Sequence, residues 1–309
     1  MAIKVSSGRL KTAPRILIHG NPKVGKTTAA ADMEDPLFLS GEAGDGQLNV
    51  KRIEFAPGRY QPQTWAEVLS TPVEIAKDPS VCKTLVLDGF GAIEKLAAAH
   101  VCATNKWANI STPGYGKGEG ALLAEVQKLI RLLEDVWAKG VGITFVCHTT
   151  MGKVKRPDGS EYPRYAPALT SVNNADVAGL VVGWCDAVLF AEIEVEVAKT
   201  DKKAIAIGTG RHIVRTTSSD PQYVAGGRYD NVPPVMDLDM REWRRLVAEG
   251  QDPKAMSAKL SKLSEGLDEK TRESISKWLA TPQANDAKAL CQRVTWVTAK
   301  LAEMSEQAA

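Results

Sequence analysis

GNPKVGKTT, Gly20 to Thr28, is a complete GxxxxGK[ST] match standing between the apolar run Ile16-Leu17-Ile18 and the Ala-rich segment Lys26 to Asp32, which holds neither Gly nor Pro. Strand, glycine-rich turn and helix in that order are the context this phosphate-cradling motif, Walker A, requires. Its glycines let backbone N–H groups converge on phosphate oxygens, and the helix N-terminus adds positive potential. The expected contacts to ATP are Gly20, Asn21, Pro22, Lys23, Val24, Gly25, Lys26, Thr27 and Thr28, with Lys26 neutralising β and γ oxygens and Thr27 ligating Mg²⁺.

Outward from this motif, strands and helices alternate. Leu37-Phe38-Leu39 reads as a second strand ending at Ser40-Gly41-Glu42, and Thr64 with Glu67 has the capping-box spacing that starts a helix over 65–77. Thr84 to Leu87 is a strand ending at Asp88. Leu122, Val126, Leu129, Ile130, Leu133 and Val136 recur at helical spacing up to Gly140, a C-cap. Ile143 to Cys147 then has the length and β-branched content of a buried parallel strand, and it ends at His148. The alternation implies an α/β core with a mostly parallel central sheet flanked by helices.

After about residue 186 the pattern changes. Glu192 to Val197 alternate strictly, which predicts an antiparallel strand with one wet face and a late β-meander to about Thr217. From Met240 onward only helix signals remain, with Thr281-Pro282 expected to open a long helix whose Leu290, Val294, Val297 and Leu301 form a seam. The expected organisation is an N-terminal segment over 1–12, read as an oligomerisation strand, a nucleotide-binding core over 13–240, and a small C-terminal helical unit over 241–309.

Composition narrows the class. The chain has 309 residues, 44% hydrophobic and 25% charged, enough for one full domain plus an appendage. A net charge of +2 means that any nucleic-acid site must be a local basic surface. Cys82, Cys102, Cys147, Cys185 and Cys291 are scattered and form no CxxC, which argues for neither a disulfide framework nor zinc, and for a reducing cytoplasm. The N-terminus lacks the apolar run of an export signal, and the most apolar stretch, Ala178 to Ala191, is too short for a membrane span and is broken by Asp186.

Three residues extend the nucleotide site. Asp88 closes an apolar run as a Mg²⁺-holding carboxylate does; the alternative is an N-cap for a helix over Phe90 to Ala99. Glu42 falls where a carboxylate would orient or deprotonate the attacking water; the alternative is a solvated acidic loop with Asp45. His148, at the tip of the strand after Asp88, would contact the γ-phosphate, although a lone histidine is more often structural.

The order of these features, together with ILIHGNPKVGKTT, PLFLSGEAG, TLVLDGF, ITFVCHTT and the later RTTSSDPQYVAGGRYDNVPPVMDLD, resembles phage-encoded, RecA-like P-loop ATP-binding proteins of the AAA-like group. That group includes shortened RecA-type single-strand annealing proteins. The resemblance covers roughly residues 13 to 240. It implies a RecA-like P-loop NTPase core, ATP and Mg²⁺, single-stranded DNA as partner, a cognate single-strand binding protein, self-association into a ring or filament, and a host-cell cytoplasmic setting.

In RecA-like proteins two loops beside the sheet edge line the DNA channel. The matching segments are 105–120, with Lys106, Trp107, Tyr115 and Lys117, and 149–170, with Lys153, Lys155, Arg156, Tyr162, Arg164 and Tyr165. Basic groups neutralise phosphates and interleaved aromatics stack bases, the composition a sequence-tolerant single-strand site needs. A flexible hydrophilic loop is the alternative. Arg211, Arg215 and Arg228 are candidates to reach a neighbour's nucleotide as arginine fingers, or are simply surface charge. The leading expectation is a DNA-stimulated ATPase of annealing or homologous recombination. Its rivals are an annealing module using ATP only as an assembly ligand, and a P-loop kinase or motor.

Overall fold

The computed structural model describes residues 4, 5, 10, 12–172, 175–200 and 203–308, excepting the side chains at 197–200, 203–207 and 306–308. The oligomerisation strand expected over 1–12 falls almost wholly outside the described residues. The chain divides into two compact units: residues 12–227 with 234–240, and residues 1–11, 228–233 and 241–309.

The larger unit begins with β1 (Arg15–Gly20), the P-loop and α1 (Lys26–Ala31), then β2 (Pro36–Ser40), β3 (Lys51–Arg52), α2 (Trp65–Lys77), β4 (Thr84–Asp88), α3 (Phe90–Asn105), α4 (Lys117–Ala138), β5 (Gly142–Lys155) and β6 (Glu161–Pro167). A two-stranded ladder of β7 (Ser171–Val172) and β8 (Ala175–Asp176) leads into α5 (Val177–Trp184). β9 (Ala187–Thr200), β10 (Lys203–Arg215), β11 (Gly226–Gly227) and β12 (Val235–Asp237) follow. The main sheet runs β12-β10-β9-β1-β5-β4-β2-β3, parallel from β9 to β3 and antiparallel beyond β9. Thus β5 lies between the P-loop strand and the strand that ends in Asp88.

The strands' apolar runs explain this placement. Leu85, Val86 and Leu87, like Ile143 and Phe145, are fully buried because helices cover both faces. α2 starts where the capping box requires: the Thr64 hydroxyl accepts from Glu67 N, and Glu67 reaches back to Thr64 N. Phe90 meets Phe145 edge-on at 4.7 Å, welding α3 to the centre of the sheet. At the sheet's far end, the Arg15 guanidinium lies against Trp137 and Trp184, 4.5 and 4.9 Å from the ring centres, and binds Asp186 through Nε and Nη2.

Three expectations for the larger unit are corrected. The segment 149–170 is no loop: β5 continues past His148 as an exposed strand and returns as β6, paired from Thr149↔Pro167 to Lys155↔Glu161. The turn residues Pro157 to Ser160 sit at its tip, where Ser160 N and Oγ bind Asp158. The first loop shrinks, because Asn105 ends α3 and Lys117 begins α4. The wet face of β9 carries its apolar side chains: Ile193 and Val195 are exposed, while Glu192 and Glu194 face Arg215 and Arg211.

The smaller unit holds α6 (Met240–Gln251) from Arg241 onward, α7 (Pro253–Ser264), α8 (Glu269–Leu279) and α9 (Ala287–Ala308). Met256, Leu260, Ile275, Leu290, Val294 and Val297 form its core, with Leu263, Trp278 and Leu301 packed against it. Thr281-Pro282 opens only a single 3-10 turn, Pro282–Asn285, and Asp286, accepting from Lys288 N, starts α9. Proline fits the first position of either turn, so the motif alone does not choose between them. Among the described residues no helix is long and apolar enough to cross a membrane.

Candidate functional site

Parallel register brings the sequence-predicted residues to one sheet edge. Gly20 pairs with His148, and Ser40 with Asp88, which in turn pairs with Val146. A cavity of about 370 Å³ opens there, lined by Pro22 to Thr28 except Val24, by Glu42 and Gly44, and by Asp88, Gly89 and Val146 to His148. Its volume falls in the range of small-ligand sites.

Glycine is required at two places in the loop. A Cβ on Gly20 would lie 2.1 Å from Ala191 O, and Gly25 takes φ +93 as it caps α1. Lys26, 7% exposed, donates from Nζ to Asn21 O at 2.7 Å. Burial pulls its ammonium below the ordinary range, with Cys147, Asp88 and Glu42 opposing.

Thr27 Oγ1 donates to Asp88 Oδ1 at 3.2 Å, so hydroxyl and carboxylate stand side by side. Burial pushes the Asp88 carboxyl up to about 6, against the pull of the Thr27 hydroxyl. A buried carboxylate beside a hydroxyl is the oxygen donor set a hard divalent cation takes. These residues therefore fit Mg²⁺, although the described residues contain no cluster of three His, Cys, Asp or Glu ligands.

Across the cavity His148 Nε2 faces Glu42 Oε2 at 3.6 Å, both side chains about half exposed. The loop that carries Glu42 is not simply a solvated acidic loop, since Asp45 is 2% exposed and hydrogen-bonded to Ser40 and Arg52. Asp88 makes no cap to α3, whose N-cap is Gly89 at φ +69.

Residues that the sequence reading missed tie this edge to the rest of the domain. His19, fully buried, places Nε2 2.6 Å from Val224 O and Nδ1 3.3 Å from Thr149 Oγ1. Burial drives its pKa down to about 4, so the ring is neutral. His212 Nδ1 is 3.0 Å from Val24 O, an acceptor that demands the Nδ1–H tautomer. Glu94 accepts from Thr170 N at 2.9 Å at the foot of the β5–β6 hairpin. No local pattern marks any of them, because their partners lie 76 to 205 residues away.

The DNA-loop candidates are dispersed. Tyr115 is 94% exposed in left-handed backbone between Gly114 and Gly116, also left-handed. Lys106 and Lys117 are exposed and Trp107 half-buried. On the hairpin, Lys153 and Lys155 flank Glu161 at 3.7 and 3.6 Å, and Arg156 lies over Tyr162 at 5.4 Å. Arg164 Nε is buried without a hydrogen-bond partner among the described residues. Tyr165 is withdrawn from stacking on bases: its ring stacks on Tyr223 at 5.7 Å and meets Phe190 at 5.5 Å. Arg211 holds Asp237 and Glu194, and Arg215 holds Glu192 while covering Tyr223 at 4.3 Å. Arg228 lies exposed just beyond β11.

A phosphate-cradling loop between a parallel strand and its helix, with a buried carboxylate two strands away, defines a nucleotide-binding P-loop NTPase. The chain belongs to the AAA_24 family of AAA domains, whose family model matches residues 12–229. It is 27% identical over 176 residues to the SPbeta prophage-derived uncharacterized protein YorG of Bacillus subtilis (strain 168), a match covering 52% of this chain and 48% of that protein. The chain thus spans about half the length of that curated relative. It is also similar to the crystal structure of KaiC-like protein PH0186 from Pyrococcus horikoshii OT3, at 13% identity and a TM-score of 0.35, covering 66% of this chain and 79% of that one.

Proposed function

We propose that this protein is a DNA-stimulated ATPase that binds single-stranded DNA and promotes annealing or recombination. The supporting observation is the continuity of β5: one strand carries His148 into the nucleotide cavity and runs on, without a break, into the basic hairpin. Lys26 and the P-loop amides hold the triphosphate, Thr27 and Asp88 hold Mg²⁺, and Glu42 orients the attacking water. Mg²⁺, when bound, neutralises charge on the phosphoryl oxygens. His148 hydrogen-bonds the γ-phosphate and gives up its contact with Glu42, freeing that carboxylate for water.

Lys153, Lys155, Arg156 and Arg164 take phosphates, and Tyr115, Trp107 and Tyr162 offer stacking faces. The Glu161 pairs are no obstacle: such exposed ion pairs contribute about 1 kcal/mol or less, and phosphates readily exchange for them. The protein acts as a ring or filament alongside a cognate single-strand binding protein. Arg211 and Arg215 reach a neighbour's nucleotide only by exchanging their own carboxylates.

The test is MgATP hydrolysis with and without single-stranded DNA at two salt concentrations, beside Lys26→Ala. Stimulation that disappears in the variant and weakens with salt supports the reading. No stimulation and no binding to labelled single strands refutes it. Annealing that survives loss of turnover in Glu42→Ala would instead make ATP an assembly ligand.

A further inference from the structure

The segment between β2 and β3 carries Glu42, yet its regular structure is limited to one 3-10 turn, Ala43–Asp45. A connection of this kind keeps a side chain in register only where its polar groups find fixed partners. Arg52, on β3, supplies them. Its Nε donates to Asp45 Oδ2 at 2.8 Å, Nη1 to Val50 O at 3.2 Å, and Nη2 to Leu48 O at 2.6 Å and to Asp45 O. Asp45 also accepts from Ser40 Oγ at 3.1 Å, and Ser40 is the strand partner of Asp88. Two glycines complete the seat. A Cβ on Gly89 would lie 3.0 Å from Glu42 Cγ, and one on Gly41 would lie 2.8 Å from Gly89 O.

We infer that Asp45 and Arg52 are positioning residues for hydrolysis, fixing the loop that holds the Glu42 carboxylate at the edge of the nucleotide cavity without touching nucleotide themselves. The inference rests on the role proposed above for Glu42. Arginine is needed because one planar fork meets four acceptors at once, which the single ammonium of lysine does not do. Neither residue lines the nucleotide cavity, so their loss leaves ATP affinity alone and falls on the rate.

The experiment measures kcat, KM, affinity for a fluorescent ATP analogue and melting temperature for Arg52→Lys, Asp45→Asn, Ser40→Ala and Glu42→Gln, and for Arg52→Lys combined with Glu42→Gln. Arg52→Lys and Asp45→Asn are expected to lower kcat about tenfold or more while affinity stays within about twofold, as misplacement of a catalytic group by a fraction of an ångström does. In the Glu42→Gln background, Arg52→Lys is expected to cost nothing further. A folded Arg52→Lys enzyme with normal kcat, a parallel loss of affinity, or an added loss in the double variant overturns the inference while leaving the ATPase reading intact. Full turnover by Glu42→Gln overturns the role of Glu42 and, with it, the inference, while hydrolysis itself stands. If Asp45→Asn does not fold, Arg52→Lys and the milder Ser40→Ala, expected to lose a smaller fraction of kcat, carry the same test.

Discussion

His19 and Asp88 are buried on neighbouring parts of the same sheet, and their pKa shifts make opposite demands on the pH dependence of folding. His19 titrates at about 4 in the folded chain against 6.5 ordinarily. The unfolded chain therefore binds the extra proton, and the stability held above pH 6.5 is lost as pH falls toward 4. Asp88 titrates at about 6 against 3.8. Here the folded chain binds the extra proton, so stability falls as pH rises from about 4 to 6. Each pH unit of difference is worth about 1.4 kcal/mol, so each residue contributes on the order of 3 kcal/mol across its window. The two contributions nearly cancel between pH 4 and 6. Urea unfolding without nucleotide or Mg²⁺, followed at half-unit steps from pH 4 to 7, checks this. Relative to the parent, His19→Gln should lose stability on going from pH 4 to 6, and Asp88→Asn should gain it, each by about 3 kcal/mol. Two variants with the parent's slope would refute the assignment of these shifts to burial.

On the proposed role of Asp88, Mg²⁺ binding competes with its proton, so Mg²⁺-dependent ATP affinity should weaken about tenfold per pH unit below pH 6, measured by fluorescent-analogue titration, with no such break in Asp88→Asn. Arg15→Ala removes the Arg15–Asp186 ion pair at a site where both side chains are under 15% exposed, and should cost about 3 kcal/mol by urea unfolding. Thr64→Ala removes the hydroxyl half of the α2 capping box and should cost about 1 kcal/mol in the same assay.

The nucleotide site was legible because its chemistry is local. Nine consecutive residues make the P-loop, and Glu42, Asp88 and His148 each follow an apolar run whose end a parallel sheet brings to one edge. The capping box of α2 was legible for the same reason, since donor and acceptor are three residues apart. The hairpin was not. Thr149 to Lys155 has no apolar alternation to advertise a strand, and its pairing is fixed at its foot by Thr149, Tyr165 and Val224, through His19 and Tyr223. The solvated acidic loop with Asp45 stays open as an alternative from sequence because the partner of Asp45, Arg52, lies beyond a loop whose conformation that pair itself creates. Asp186, taken only as an interruption of an apolar stretch, proved to be the counterion of Arg15, which is 171 residues away.

Because β5 is one stiff element with His148 at its midpoint, it can be treated as a lever. The seven residues beyond His148 span about 23 Å at the rise of a β-strand, so a tilt of about 5° at the nucleotide end displaces the tip by about 2 Å. The buried half of the strand, clamped between β1 and β4, serves as the fulcrum. Arm length is then a design variable in its own right: removing one cross-strand residue pair from the hairpin would shorten the throw in proportion, with every side chain in the nucleotide cavity left as it is.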